Sequence, residues 1–84
     1  MNIDKETASS TYLKHDVPEK NMHRFYYTTV MLGLFGEWAL VREWGRIGSA
    51  GTVRKSWFAT EAEALEAEQK LCEAKRKKGY VVVK

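Results

Sequence analysis

One cysteine, one proline, two histidines and no long apolar run leave this 84-residue chain with few chemical devices beyond a packed core. A single cysteine, Cys72, excludes an intramolecular disulfide and has no Cys or His neighbour at metal-ligand spacing. It falls on the apolar stripe of a predicted helix, where a buried structural thiol is the plain reading. His15 and His23 fall on separate predicted strands, with no Ser, Cys or carboxylate arranged around them as in a triad or metal site. Asp16 adjoins His15 in sequence, but neighbouring strand residues face opposite ways. Neither catalysis nor a metal or other cofactor is expected. No apolar stretch approaches the roughly 20 residues that cross a bilayer. The N-terminus, Met1-Asn2-Ile3-Asp4-Lys5-Glu6, lacks the basic-then-apolar order of a secretory signal. A cytoplasmic protein without a membrane partner is the expectation.

What is present is the balance of an ordinary folded domain, with 44% hydrophobic and 30% charged residues. The length suits one small domain that buries a modest fraction of its surface. Net charge is +3 and unevenly spread. The basic excess is greatest between residues 21 and 60, where Arg24, Arg42, Arg46, Arg54 and Lys55 face only Glu37 and Glu43. Arginine dominates that set, and its planar guanidinium suits stacking and bidentate phosphate contact. A merely solubilising surface would mix Lys and Glu more evenly.

Residues 1–10 are polar and aperiodic and read as a mobile tail, with residues 11–84 as the domain. A short β-like run, Thr11 to Val17, closes at a turn containing Pro18 and Asn21. A second strand, about Met22 to Met31, is rich in aromatic and β-branched residues. Gly33 and Gly36 punctuate a loop before a third strand, Glu37 to Ile47. Gly48-Ser49-Ala50-Gly51 turns a hairpin into a fourth, Thr52 to Phe58. Thr60-Glu61-Ala62-Glu63 has the form of a capping box opening a helix from Glu61 to about Lys78, which stops at Gly79. Ala64, Leu65, Ala67, Leu71, Cys72 and Ala74 form its apolar stripe, with Glu66–Lys70 and Glu73–Lys77 as exposed i,i+4 pairs. The run from Gly79 to Val83 suits one more short strand. The predicted class is α+β: a twisted antiparallel sheet of about four to five strands with one long C-terminal helix packed on one face.

The third strand makes the most specific chemical proposal, in Trp44-Gly45-Arg46. Alternation places Trp38, Leu40, Arg42, Trp44 and Arg46 on one face, apolar at one end and cationic at the other. An indole flanked by guanidiniums can stack on a base or sugar and hold phosphates; the competing reading is a core Trp44 with Arg46 snorkelling at the edge. Gly45, mid-strand, marks a close backbone approach, by a packed element or by a ligand. The Gly45-to-Gly51 run lacks the Gly-Lys-Ser/Thr and following helix of a phosphate-binding loop, so a hairpin turn is the better reading. Arg54 and Lys55 point to opposite faces, so at most one shares the face of Trp44. Lys75-Arg76-Lys77-Lys78 either complements the helix dipole or extends a cationic rim through Lys77 and Lys78 beside Tyr80.

Asn21-Met22-His23-Arg24-Phe25-Tyr26-Tyr27, the run from Trp38 to Gly48, Gly51, Phe58, Glu61-Ala62 and Gly79-Tyr80 together resemble the WGR domain. That module is named for its Trp-Gly-Arg signature and occurs beside the catalytic region of poly(ADP-ribose) polymerases and in small bacterial proteins. The resemblance runs from about Tyr12 to Tyr80 and implies the same α+β fold. It also implies a non-catalytic module that binds double-stranded DNA at an end or nick, without strong sequence preference. In the polymerases the signature Trp packs on the sugar at a DNA end and the signature Arg sits at a domain–DNA contact; the matching positions are Trp44 and Arg46. On this reading Trp44 stacks and Arg42 and Arg46 hold phosphates. Arg54 or Lys55, with Lys77, Lys78 and Tyr80, extends the field, and Gly45, Gly48 and Gly51 set the backbone. DNA is the expected partner, with RNA and a protein supplied in trans as further ones. The alternative is a protein-interaction module whose Trp38, Trp44 and Trp57 form an aromatic patch.

Overall fold

The computed structural model describes residues 7–84. Four long antiparallel strands follow one another in the chain: β1 (Thr7–Val17), β2 (Met22–Leu32), β3 (Trp38–Arg46) and β4 (Thr52–Phe58). The helix α1 (Glu61–Lys77) then carries the chain back to a two-residue strand, β5 (Val81–Val82), which pairs antiparallel with β1. The sheet order is β4-β3-β2-β1-β5, so the helix leaves one sheet edge and returns at the other. This is the α+β arrangement expected, with five strands.

The first six residues of the expected tail lie outside the described residues. From Thr7 the chain is already strand, four residues before the start read from sequence. The polar run Thr7-Ala8-Ser9-Ser10 has no apolar alternation to announce it. It is strand because β2 is eleven residues long and offers its backbone as far as Met31, which pairs with Thr7 across a local register irregularity. Pairing with an existing edge here overrides composition.

Between β1 and β2 the chain makes one 3-10 turn, Pro18–Lys20, and leaves it through Asn21 in the left-handed region at φ 52°. Asparagine tolerates that conformation better than most residues.

Register assigns every strand residue to a face. Leu13, Tyr26, Trp44 and Thr52 lie in one cross-strand row under α1; Tyr12, Tyr27, Glu43 and Val53 lie in a row on the other face. The core on the helix side gathers Val30, Leu40 and Ala64, with Trp38, Phe58, Leu65, Ala67 and Leu71 packed around them. One polar group joins it. Glu68, 5% exposed, accepts a 2.7 Å hydrogen bond from the hydroxyl of the fully buried Thr28. The helical period places Glu68 on the buried side, four residues after Ala64, and the Thr28 hydroxyl satisfies it there. Ala74, expected on the stripe, is exposed, because Lys75 takes the sheet-facing position at that level. Cys72 is half-buried beside Thr28, and burial pushes its thiol above the ordinary cysteine value.

The helix ends are capped as their residues suggest. The Glu63 amide donates to the Thr60 hydroxyl at 3.2 Å, the N-cap half of the expected box. No reciprocal bond from the Glu63 carboxylate occurs among the described residues. Glu66 and Lys70 form the expected ion pair at 3.7 Å; Glu73 and Lys77 do not pair. At the far end the Tyr80 amide donates to the Lys75 carbonyl at 3.1 Å and that of Gly79 to Arg76 at 3.0 Å, with Gly79 at φ 105°. This doubly bonded left-handed stop satisfies carbonyls left over by the last turn. A side chain on Gly79 would meet His15 Nε2 at 2.9 Å. Glycine there lets the helix end lie against β1 and brings Tyr80 back over the sheet.

Candidate nucleic-acid interface

Trp44 stands on the helix-facing side of β3, beyond the core and beside the last turns of α1. It is half-buried. Its indole leans on Tyr26 at a centroid distance of 6.2 Å, and the Arg42 guanidinium lies 5.5 Å from its ring centre. Trp44 is at the margin of the core: its row neighbours Leu13 and Tyr26 are buried, while Trp44 itself keeps part of its surface exposed. Snorkelling is not needed to place Arg46: its guanidinium donates to the carbonyl and side-chain oxygens of Asn21, both at 3.3 Å. Those bonds fix Arg46 at an exposed rim, with the turn after β1 as its anchor.

Two recesses flank the indole. One, of about 400 Å³, is lined by Arg24, Trp44, Gly45, Arg46, Lys75 and Tyr80. The other, of about 360 Å³, is lined by Tyr26, Arg42, Trp44, Leu71, Ala74, Lys75 and Lys78. Among the described residues, no carboxylate lines either one. Lys75 stands between them, its ammonium 4.8 Å from the ring centre of Tyr26 and 5.3 Å from that of Tyr80. Burial pushes the Lys75 ammonium below its ordinary value, and the like charges of Lys78, Arg24 and Arg42 push in the same direction. Among the described residues, the Nε of Arg42 is buried without a hydrogen-bond partner. The result is a basic concavity with crowded cations and, in the Arg42 Nε, a buried donor with no partner among the described residues.

The expected site residues separate into groups. Trp44, Gly45, Arg46 and Tyr80 meet in the first recess, and Arg42 and Lys78 meet Trp44 in the second. Arg54 pairs across the sheet with Arg42 and shares its face, on the exposed edge strand. Lys55 lies on the opposite face, with its ammonium 5.9 Å from the ring centre of Trp57. Lys77 is outside both recesses, beside Arg76 and Val81 on the far side of Tyr80. Gly45 is accounted for by packing. A Cβ there would stand 3.3 Å from the Gly51 Cα and 3.6 Å from the Phe25 ring, so the hairpin turn occupies that space.

Two contributors were not singled out from sequence. Arg24 reaches the site because β2 pairs it directly with Arg46. Lys75 reaches it because it follows Leu71 at i+4 on the helix, and the expected Lys78 comes next on the same side at i+7. His23 pairs with the carboxylate of Asp16, which stands directly opposite it on β1, a single pair and not a triad. The pair is on the face away from Trp44. The three tryptophans do not form one patch: Trp38 covers the core, Trp44 lines the recesses, and Trp57 is on the other face, paired with Ala39.

The WGR domain family matches residues 9–84. The chain belongs to that family. WGR domains are in general non-catalytic modules that bind nucleic acid. The chain is also 38% identical over 69 residues to an uncharacterized protein, y4dW, of Sinorhizobium fredii (strain NBRC 101917 / NGR234). That alignment covers 82% of this chain and 34% of the relative, so the WGR domain here spans about a third of that protein's length. No solved structure matches the chain. Among the described residues, no helix is long and apolar enough to cross a membrane, and no cluster of His, Cys, Asp or Glu could hold a metal ion.

Proposed function

We propose that this WGR domain binds double-stranded DNA at an end or nick, through sugar and phosphate, without strong sequence preference. The observation that carries the reading is the pair of recesses flanking Trp44, lined by Arg24, Arg42, Arg46, Lys75 and Lys78 with no carboxylate among them. A terminal nucleotide exposes a sugar and base face that an intact duplex keeps stacked. Trp44 supplies a half-buried ring for that face, and the cations beside it suit the adjoining phosphates. Arg46, held by Asn21, and Arg42, with its free buried Nε, are the phosphate ligands of this reading. Arg54 and Tyr80 extend the surface on either side. Among the described residues the α-helix is α1, whose apolar side packs on the sheet, so in this reading backbone contacts and shape carry the affinity. A cytoplasmic location, with DNA at hand, belongs to the same reading, as does a protein partner in trans.

Fluorescence anisotropy tests it with two labelled duplexes of equal length, one with free 5′-phosphorylated ends and one closed by hairpin caps. The open duplex is expected to bind more tightly. Trp44→Ala is expected to weaken that binding by roughly tenfold or more, as one lost base-stacking platform implies, while circular dichroism retains the folded signal. Equal affinity for the two duplexes overturns end recognition; no binding to either at low salt overturns autonomous DNA binding.

A further inference from the structure

The face of the sheet turned away from α1 holds a second site that the DNA reading does not use. Tyr12, Tyr27 and Glu43 stand side by side in one cross-strand row, with Phe25 in the next. With Gly48 and Ser49 of the β3–β4 turn they line an open recess of about 390 Å³. Phe25 is its floor, only 8% exposed, with its ring nearly parallel to that of Tyr12 at 6.0 Å. Tyr27 inclines at 50° to Tyr12, and a 2.7 Å hydrogen bond between its hydroxyl and that of Ser10 steadies it.

Glu43 closes the remaining side. It is half-buried, and its Cγ lies 2.8 Å from where a Gly51 side chain would begin, so the turn backbone packs against it. Among the described residues it has no ion-pair partner, in a chain whose basic residues outnumber its acidic ones. Neither Lys14 nor Lys55 lines the recess: Lys55 lies over Trp57, and Lys14, the cross-strand partner of Phe25, is outside the lining.

Ring faces carry negative potential and attract a cation, most strongly one with an apolar coat that sheds water easily. An adjacent carboxylate adds the counter-charge. The 50° inclination of Tyr27 to Tyr12 presents ring faces at an angle to one another, not as one flat platform. We propose that this recess binds an alkylated ammonium group, with Tyr12, Phe25 and Tyr27 against its methyls and Glu43 as its counter-ion. A free quaternary amine and a methylated lysine side chain share that chemistry.

Both sources are tested by titrating the isotope-labelled protein and following amide shifts by NMR. Choline is compared with its neutral carbon isostere, 3,3-dimethylbutan-1-ol; a short trimethyllysine peptide is compared with the same peptide carrying unmodified lysine. Saturable shifts at Tyr12, Tyr27, Glu43 and Gly48 are expected with choline and with trimethyllysine, and weaker ones with the isostere. Glu43→Gln, which keeps the shape, is expected to raise the dissociation constant about tenfold. Tighter binding of the peptide than of choline identifies a protein segment as the source, and the reverse a free amine. An isostere that binds as well as choline, cations that give no saturable shift, or Glu43→Gln binding them unchanged would each overturn the assignment.

Discussion

At the residue scale, Lys75 concentrates the tension in the site. Its ammonium is crowded by Lys78, Arg24 and Arg42 and partly removed from water, so the free protein holds that proton less tightly than an ordinary lysine does. A phosphate seated in the recess reverses the like-charge repulsion and raises the pKa. Binding therefore takes up a proton in the window between the lowered free value and the higher bound one, and affinity falls as pH rises through that window. Stability of the free fold moves the other way. There the unfolded chain holds the proton more tightly, so the charge penalty is fully present below the lowered pKa and disappears as pH approaches the ordinary lysine value. Lys75→Arg keeps the charge but does not titrate in this range, so its DNA affinity, followed by anisotropy from neutral to alkaline pH, is expected to stay flatter than that of the parent protein. Parallel curves for the two proteins would mean that Lys75 does not meet the phosphate. Trp44 and Arg46 were legible in the sequence because alternation along one strand places them. Arg24 was not, because its place beside Arg46 depends on strand register, which no local period records; the i+4 spacing of Lys75 from Leu71 could be read, but not the rings that helix-to-sheet packing sets beneath it.

At the element scale, the β3–β4 hairpin carries both faces of the sheet. Its turn folds back so that Gly51 presses on the Trp44 carbonyl, the Phe25 ring and Glu43; a Cβ on Gly51 would come within 2.8 Å of each. Backbone cannot move aside as a flexible side chain can. At Gly45 the nearest atom is 3.3 Å away, and a shift of a few tenths of an ångström relieves it. Gly51→Ala is therefore expected to destabilise the fold by roughly 1–3 kcal/mol, the range of an overpacked site, and Gly45→Ala by less. Chemical denaturation of the two variants orders them, and a larger loss for Gly45→Ala would contradict the packing described. The hairpin, the helix and its left-handed stop were legible because glycine, threonine and the 3.6-residue period act locally. The first four residues of β1 were not, since their only cause is the length of β2 beside them. The burial of Glu68 was missed for a related reason: its acceptor role depends on Thr28, forty residues earlier in the chain.

At the scale of the whole molecule, a net charge of +3 is small, and what matters is its arrangement. The cations of the helix-side recesses gather from β2, β3 and α1, whereas Lys55 belongs to the opposite face. Each phosphate neutralised by a cation releases counterions, so the logarithm of affinity falls with the logarithm of salt concentration at a slope of about 0.9 per phosphate contacted. Conversion of Arg24 or Arg42 to Gln is then expected to weaken DNA binding and to flatten that slope by about one contact each. Lys55→Gln removes the same unit of charge from the other side of the sheet. If net charge alone attracted DNA, all three variants would lose affinity alike. If the arrangement around Trp44 is responsible, Lys55→Gln keeps both the affinity and the slope of the parent. Anisotropy across a salt series, on the open duplex, separates the two cases; Arg24 and Lys55 are exposed side chains outside the core, so that pair compares the two faces without a change in fold, and circular dichroism checks the half-buried Arg42 variant.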